Sequence, residues 1–141
     1  MYQRRYNMDV GTDYVSTRFY RESEVSTPVD DWFKSFKKRE RKLISSELKT
    51  IQACLGRGIY IDSYESIGNE GLYLGSTKLP SKRKAYFIFC CYGNLIMVLH
   101  GFDVDAGRRK PVLEAELEIS RKRYRRLYAA ADYETRERDR R

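Results

Sequence analysis

His100 is the only histidine in the chain, so it is the one side chain that titrates near neutral pH without special help. Two groups of cations flank it in sequence: Lys78, Lys82, Arg83 and Lys84 before it, and Arg108, Arg109 and Lys110 after it. Cations grouped in this way suit phosphate oxygens, and a histidine among them suits proton transfer to or from a hydroxyl. Tyr86, Phe87, Phe89 and Tyr92 follow shortly after Lys84. Aromatic planes beside basic groups suit stacked bases, but a strand must also give one face of its side chains to the core, which is the plainer use of these four rings. His100 lies in an apolar run, where a core histidine bonded to backbone is the ordinary expectation and a catalytic one the sharper alternative.

Composition narrows the partners. The 28 Lys and Arg residues against 20 Asp and Glu leave a formal charge of +8 on 141 residues, enough for one domain. That balance favours an acidic partner, whether nucleic acid, an acidic protein segment or a membrane surface. Cys54, Cys90 and Cys91 are odd in number and sit in apolar runs, with adjacent Cys90 and Cys91 pointing to opposite faces of a strand. They are expected to be small core residues in a reducing compartment, not disulfides or zinc ligands, and no metal or cofactor is expected. The chain shows no apolar leader and no run long enough to span a membrane, which predicts a soluble cytoplasmic protein.

The elements that must position these residues can be read from periodicity. Tyr86 to Tyr92 and Leu95 to Leu99 are two apolar strands separated only by Gly93-Asn94, and a glycine at the first central position is what the primed hairpin turns require. The second strand closes on His100-Gly101-Phe102. Val15, Thr17 and Phe19 alternate with polar residues and predict a first strand over Tyr14 to Tyr20. Thr27-Pro28, with Asp30 and Asp31, opens a helix; Trp32, Phe33 and Phe36, then Ile44, Leu48, Ile51 and Leu55, carry it from Pro28 to Leu55 as a helical hairpin or one long bent helix, stopped by Gly56 and Gly58. Gly71-Leu72-Tyr73-Leu74 predicts a short strand that reaches the next one through a turn over Lys78 to Lys82. Pro111 suits the first turn of a last helix whose inner face is Leu113, Leu117, Ser120, Tyr124 and Leu127, with Arg121, Lys122, Arg123, Arg125 and Arg126 opposite. The expected fold is α+β: a small antiparallel sheet of about four strands, with an N-terminal helical hairpin and a C-terminal helix packed on it. Residues 1–12 are expected to be a flexible arm, 13–128 the domain, and 129–141 a charged tail, disordered or a solvated helical extension.

This order of elements resembles the RelE/ParE toxin superfamily of type II toxin-antitoxin systems, and within it the phage-associated HigB-like group. The residues that carry the resemblance are Gly71-Leu72-Tyr73, Tyr86 to Cys91, Val98-Leu99-His100-Gly101-Phe102, Arg108-Arg109-Lys110-Pro111 and Glu114 to Arg126. Members usually follow the Gly-Leu-Tyr with Glu-Leu-Arg, where this chain has Leu74-Gly75-Ser76. They usually start the next strand with an arginine, where it offers Lys84 and then Tyr86, and most follow Gly-Phe with a Lys-Lys or Tyr-Lys pair, where it has Asp103-Val104-Asp105.

The resemblance implies a metal-independent endoribonuclease that cuts mRNA on the ribosome by attack of a ribose 2′-hydroxyl on the adjacent phosphate, restrained by a cognate antitoxin, a helix-turn-helix protein. It implies Lys84, His100, Arg108 and Arg109 as catalytic residues, and Lys78, Lys82, Arg83, Lys84 and Lys110 as nucleic-acid contacts. A noncatalytic member of the same fold, acting as a gyrase-directed inhibitor or a phage regulatory protein, stays open as the alternative, and Ser76, Asp103 and Asp105 favour it.

Overall fold

The computed structural model describes residues 16–59, 61–68, 70–105 and 113–139. Its elements are β1 (Ser16–Phe19), α1 (Pro28–Lys34), α2 (Lys38–Gly56), β2 (Tyr64–Ile67), β3 (Leu72–Leu79), β4 (Arg83–Tyr92), β5 (Leu95–Asp105) and α3 (Leu113–Asp139). The fold is α+β, and the five strands form one mixed sheet in the order β1-β5-β4-β3-β2. The sheet thus differs from the four antiparallel strands expected. β1 lies parallel to β5, from Ser16 opposite Leu95 to Phe19 opposite Val98, because the two are joined not by a hairpin but through both helices and three intervening strands, the last of which, β4, runs opposite to β1 and turns back into β5. β2 is four residues, Tyr-Glu-Ser-Ile, too short to show a period, and only its pairing with β3 makes it a strand. β3 is twice the expected length and runs directly into the Pro80–Lys82 turn, so Lys78 belongs to the strand and not to the turn.

Pro28 opens α1 after Thr27, with Asp30 and Asp31 in the first turn as the dipole favours. The helical stretch is not continuous: α1 ends at Lys34, and α2 restarts where the Lys37 N–H donates to the Glu40 carboxylate at 3.1 Å. Arg41 closes the break by donating to the Phe36 carbonyl at 2.8 Å. α2 then buries Ile44, Leu48 and Ile51.

These helices cover one face of the sheet, where Ala85, Phe87, Phe89 and Val98 are fully buried. Two glycines mark the closest approaches: a Cβ on Gly101 would lie 2.3 Å from the Trp32 ring, and one on Gly75 2.2 Å from Phe87. At the hairpin between β4 and β5, Gly93 has φ +61 and Asn94 does not share a positive φ, so only the first central residue needs glycine's freedom. α3 packs across β5 and β4 on the opposite face through Leu117 and Ser120, and continues without a break past Tyr128 to Asp139. The arm at residues 1–12, Tyr14 and Val15, and the basic loop from Arg108 to Pro111 lie outside the described residues. No described helix is long and apolar enough to cross a membrane.

Candidate nucleic-acid interface

Alternation along β4 sends Lys84, Tyr86 and Ile88 to the α3 side of the sheet, while Arg83, Ala85 and Phe87 face α1 and α2. The partners of the first set share its face: Lys78, Ser76 and Leu74 on β3, and Val104, Phe102 and His100 on β5. α3 covers the half of this face nearest Cys90. No described helix covers the other half, which carries a row of rings. Tyr86 stacks on Phe102 with centroids 5.3 Å apart and planes 13° from parallel. Phe102 in turn stacks against His100 at 5.8 Å, and the Lys84 ammonium sits 5.4 Å above the Tyr86 ring. All four side chains are partly exposed.

Lys78 stands directly opposite Lys84 in the ladder. Like charges at facing positions destabilise a sheet, and among the described residues neither ammonium is in an ion pair. Two cations that no described acid compensates, beside a partly exposed aromatic stack, suit a ligand that brings both negative charge and flat rings.

His100 ends the row, and a β-bulge sets its direction. The ladder steps from Ile88 opposite His100 to Phe89 opposite Val98, so Leu99 is an extra residue without a partner in β4. Arg123 from α3 meets the bulge: its guanidinium donates to the Leu99 carbonyl at 2.8 Å, to the His100 Nδ1 at 3.3 Å and to Glu22 at 3.0 Å. The other ring nitrogen of His100 bonds to the Glu116 carboxylate. Because an arginine can only donate, Nδ1 must be bare, and the proton belongs on Nε2, facing Glu116. Burial lowers the His100 pKa from its ordinary value; Glu116 offsets this only in part, and Arg123 adds to it. His100 is therefore a neutral imidazole with both nitrogens engaged by side chains, not the backbone-bonded core histidine of the ordinary expectation. In this arrangement it fastens α3 to the sheet and is not free to accept a proton from a substrate.

The expected site residues divide between faces. Lys84, His100 and Lys78 come together around Tyr86 and Phe102. Lys82 is exposed in the turn between β3 and β4, with the left-handed φ of +58. Arg83 points to the opposite face, where it pairs with Glu40 at 2.6 Å and Asp103 at 2.8 Å. Burial pushes the Glu40 carboxyl up, but the Lys37 N–H and the Arg83 guanidinium outweigh it and hold the group below its usual range. Asp103 accordingly faces away from the aromatic row. Arg108, Arg109 and Lys110 lie outside the described residues.

Three features of the site escape a reading of the sequence: Glu116, Arg123 and the Phe102 stack. Spacing places Arg123 on the outer, basic face of α3, yet its side chain is only 12% exposed and turns inward. Glu116, Ser120, Arg123 and Leu127 do recur at helical spacing, but a charged pair inside an apolar stripe reads as its border until the strand beneath is known. Among the described residues no group of His, Cys, Asp or Glu side chains is arranged to hold a metal ion. No protein-family model matches the chain, and no curated protein matches it.

Proposed function

We propose that this chain is the toxin of a type II toxin-antitoxin pair, an endoribonuclease that cuts mRNA on the ribosome and is silenced by an antitoxin lying over the same sheet face. The observation that carries the reading is the facing couple of Lys78 and Lys84, unpaired among the described residues, beside the Tyr86 and Phe102 stack. Single-stranded RNA offers what that surface lacks, phosphates for the ammonium groups and splayed bases for the rings. An acidic segment of a helix-turn-helix antitoxin would meet the same cations and exclude RNA.

The cut forms a bond from the ribose 2′-oxygen to phosphorus and breaks the bond to the 5′-oxygen. The 2′ proton passes to a base and the leaving oxygen takes up another, giving a 2′,3′-cyclic phosphate and a 5′-hydroxyl. Lys84 and Lys78 stabilise the charge that gathers on phosphorus, and one such contact is commonly worth about 10²–10³ in rate. His100 handles a proton only after RNA draws Arg123 from Nδ1 or displaces Glu116.

A second reading is favoured by that same occupied histidine and by Ser76, which stands opposite Tyr86 on the face of the row where members of the resembled family carry an arginine: a noncatalytic binder of this fold. Inducing the chain alone in bacteria separates the two. Growth arrest with mRNA cut at defined positions, lost in Lys78→Ala with Lys84→Ala, supports the nuclease. Arrest with intact mRNA and blocked DNA supercoiling moves it to a gyrase-directed inhibitor, and no effect on growth favours a regulatory binder.

A further inference from the structure

We propose that the outer face of α2 is a second nucleic-acid surface, on the opposite side of the sheet from the aromatic row, which takes the phosphate backbone of double-stranded RNA. At about 100° per residue, Lys38, Lys42 and Lys49 fall within about 40° of one another around the helix axis, a row about 16 Å long. Arg39, Ser46 and Thr50 flank the row, and all six residues are exposed. No acid interrupts it. The two glutamates of α2 are used elsewhere, Glu40 by Arg83 at 2.6 Å and Glu47 by the Ser63 hydroxyl at 2.8 Å. Among the described residues none of Lys38, Arg39, Lys42 and Lys49 is in an ion pair, whereas Arg83, Arg121, Arg123, Arg125 and Arg126 all are.

The placement works against the helix itself. Lys38 and Arg39 crowd the N-terminal turn, where the macrodipole is positive, and Lys38 and Lys42 repel as like charges one turn apart. A polyanion laid along the row would offset that cost. The row's chemistry also selects which one. The row holds no aromatic side chain on which unstacked bases could lie, as single strands require. It has little apolar surface beyond Leu43, 39% exposed, where a membrane or a peptide partner would seek an apolar face. A double helix keeps its bases stacked inside and presents phosphates and sugar hydroxyls, which lysines and the Ser46 and Thr50 side chains can meet. The choice of RNA over DNA rests on the reading of the aromatic row as an RNA face; the choice of a duplex does not.

The test measures binding of a fluorescent RNA stem-loop with a double-stranded stem, and separately of a single-stranded RNA, to the intact chain across a salt series. Lys38→Gln with Lys42→Gln and Lys49→Gln should weaken stem-loop binding at least tenfold at low salt. It should also flatten the slope of log affinity against log salt by about 0.9 for each phosphate no longer neutralised, and leave single-strand binding unchanged. The same substitutions should raise the melting temperature by about 2–4 °C through relief of repulsion, an effect opposite to that of unfolding. Replacing the three lysines with arginine should restore binding. Lys84→Ala should do the reverse, weakening the single strand alone, so that failure of the aromatic row and failure of the α2 row are told apart. Stem-loop affinity and salt slope unmoved by the glutamine variant overturn the proposal, as does a DNA stem-loop of the same sequence bound more tightly than the RNA.

Discussion

Gly101→Ala should destabilise the fold and loosen the aromatic row together. Its new Cβ would fall 2.3, 2.4 and 2.5 Å from three carbons of the Trp32 indole, more than an ångström inside ordinary carbon contact of about 3.5–4 Å. The indole has little room to retreat, since Phe36 meets it edge-on at 5.1 Å and its Nε1 is already buried, with no hydrogen-bond partner among the described residues. Overpacking of that size costs about 1–3 kcal/mol, which for a chain of this length lowers the melting temperature by about 4 °C per kcal/mol. Trp32 is the only tryptophan, so its fluorescence during urea unfolding reports on this packing directly. Trp32→Leu alone should cost about 2–4 kcal/mol through the space it leaves. Combined with Gly101→Ala it should cost less than the sum of the two, by a coupling of about 0.5–3 kcal/mol, because each change accommodates the other. Gly101 also lies between His100 and Phe102, so pushing β5 off α1 should move Phe102 from Tyr86 and weaken binding of single-stranded RNA. Costs that simply add, or a variant as stable as the parent, would refute the packing argument.

Neighbouring Arg83 and Lys84 should separate stability from binding. Arg83→Met leaves the buried Glu40 carboxylate unpaired and should cost about 2–4 kcal/mol by urea denaturation while RNA affinity holds, whereas Lys84→Ala should leave stability within about 0.5 kcal/mol and reduce RNA affinity. Tyr86→Ala should lower single-stranded RNA affinity by about 1–3 kcal/mol in an anisotropy titration, and an unchanged affinity would move the stacking site elsewhere. Burial holds the His100 pKa below its ordinary 6.5, so on acidification the unfolded chain takes up a proton that the folded chain refuses. The stability present above about pH 6.5 should therefore fall as the pH drops below it, and this step should be absent from the urea midpoints of His100→Gln.

Local chemistry was enough to make several elements legible without coordinates. The Gly93-Asn94 turn, the start of α1 at Thr27-Pro28, the core face of α2 and the course of the last helix depend on turn dihedrals, caps and periodicity, all carried within a few residues. The α+β class followed from their order. The short β2, the parallel pairing of β1 with β5 and the bulge at Leu99 were not legible, because each exists only through a partner distant in the chain. The candidate site divides in the same way. Lys84, His100 and their aromatic neighbours announce basic and stacking chemistry by type alone. Only the register of β3, β4 and β5 decides that Lys84 faces Lys78 and Tyr86 on one side while Arg83 meets Glu40 on the other. Only the docking of α3 brings Glu116 and Arg123 to the two nitrogens of His100, since a side chain's protonation depends on what packs against it and not on its place in the sequence.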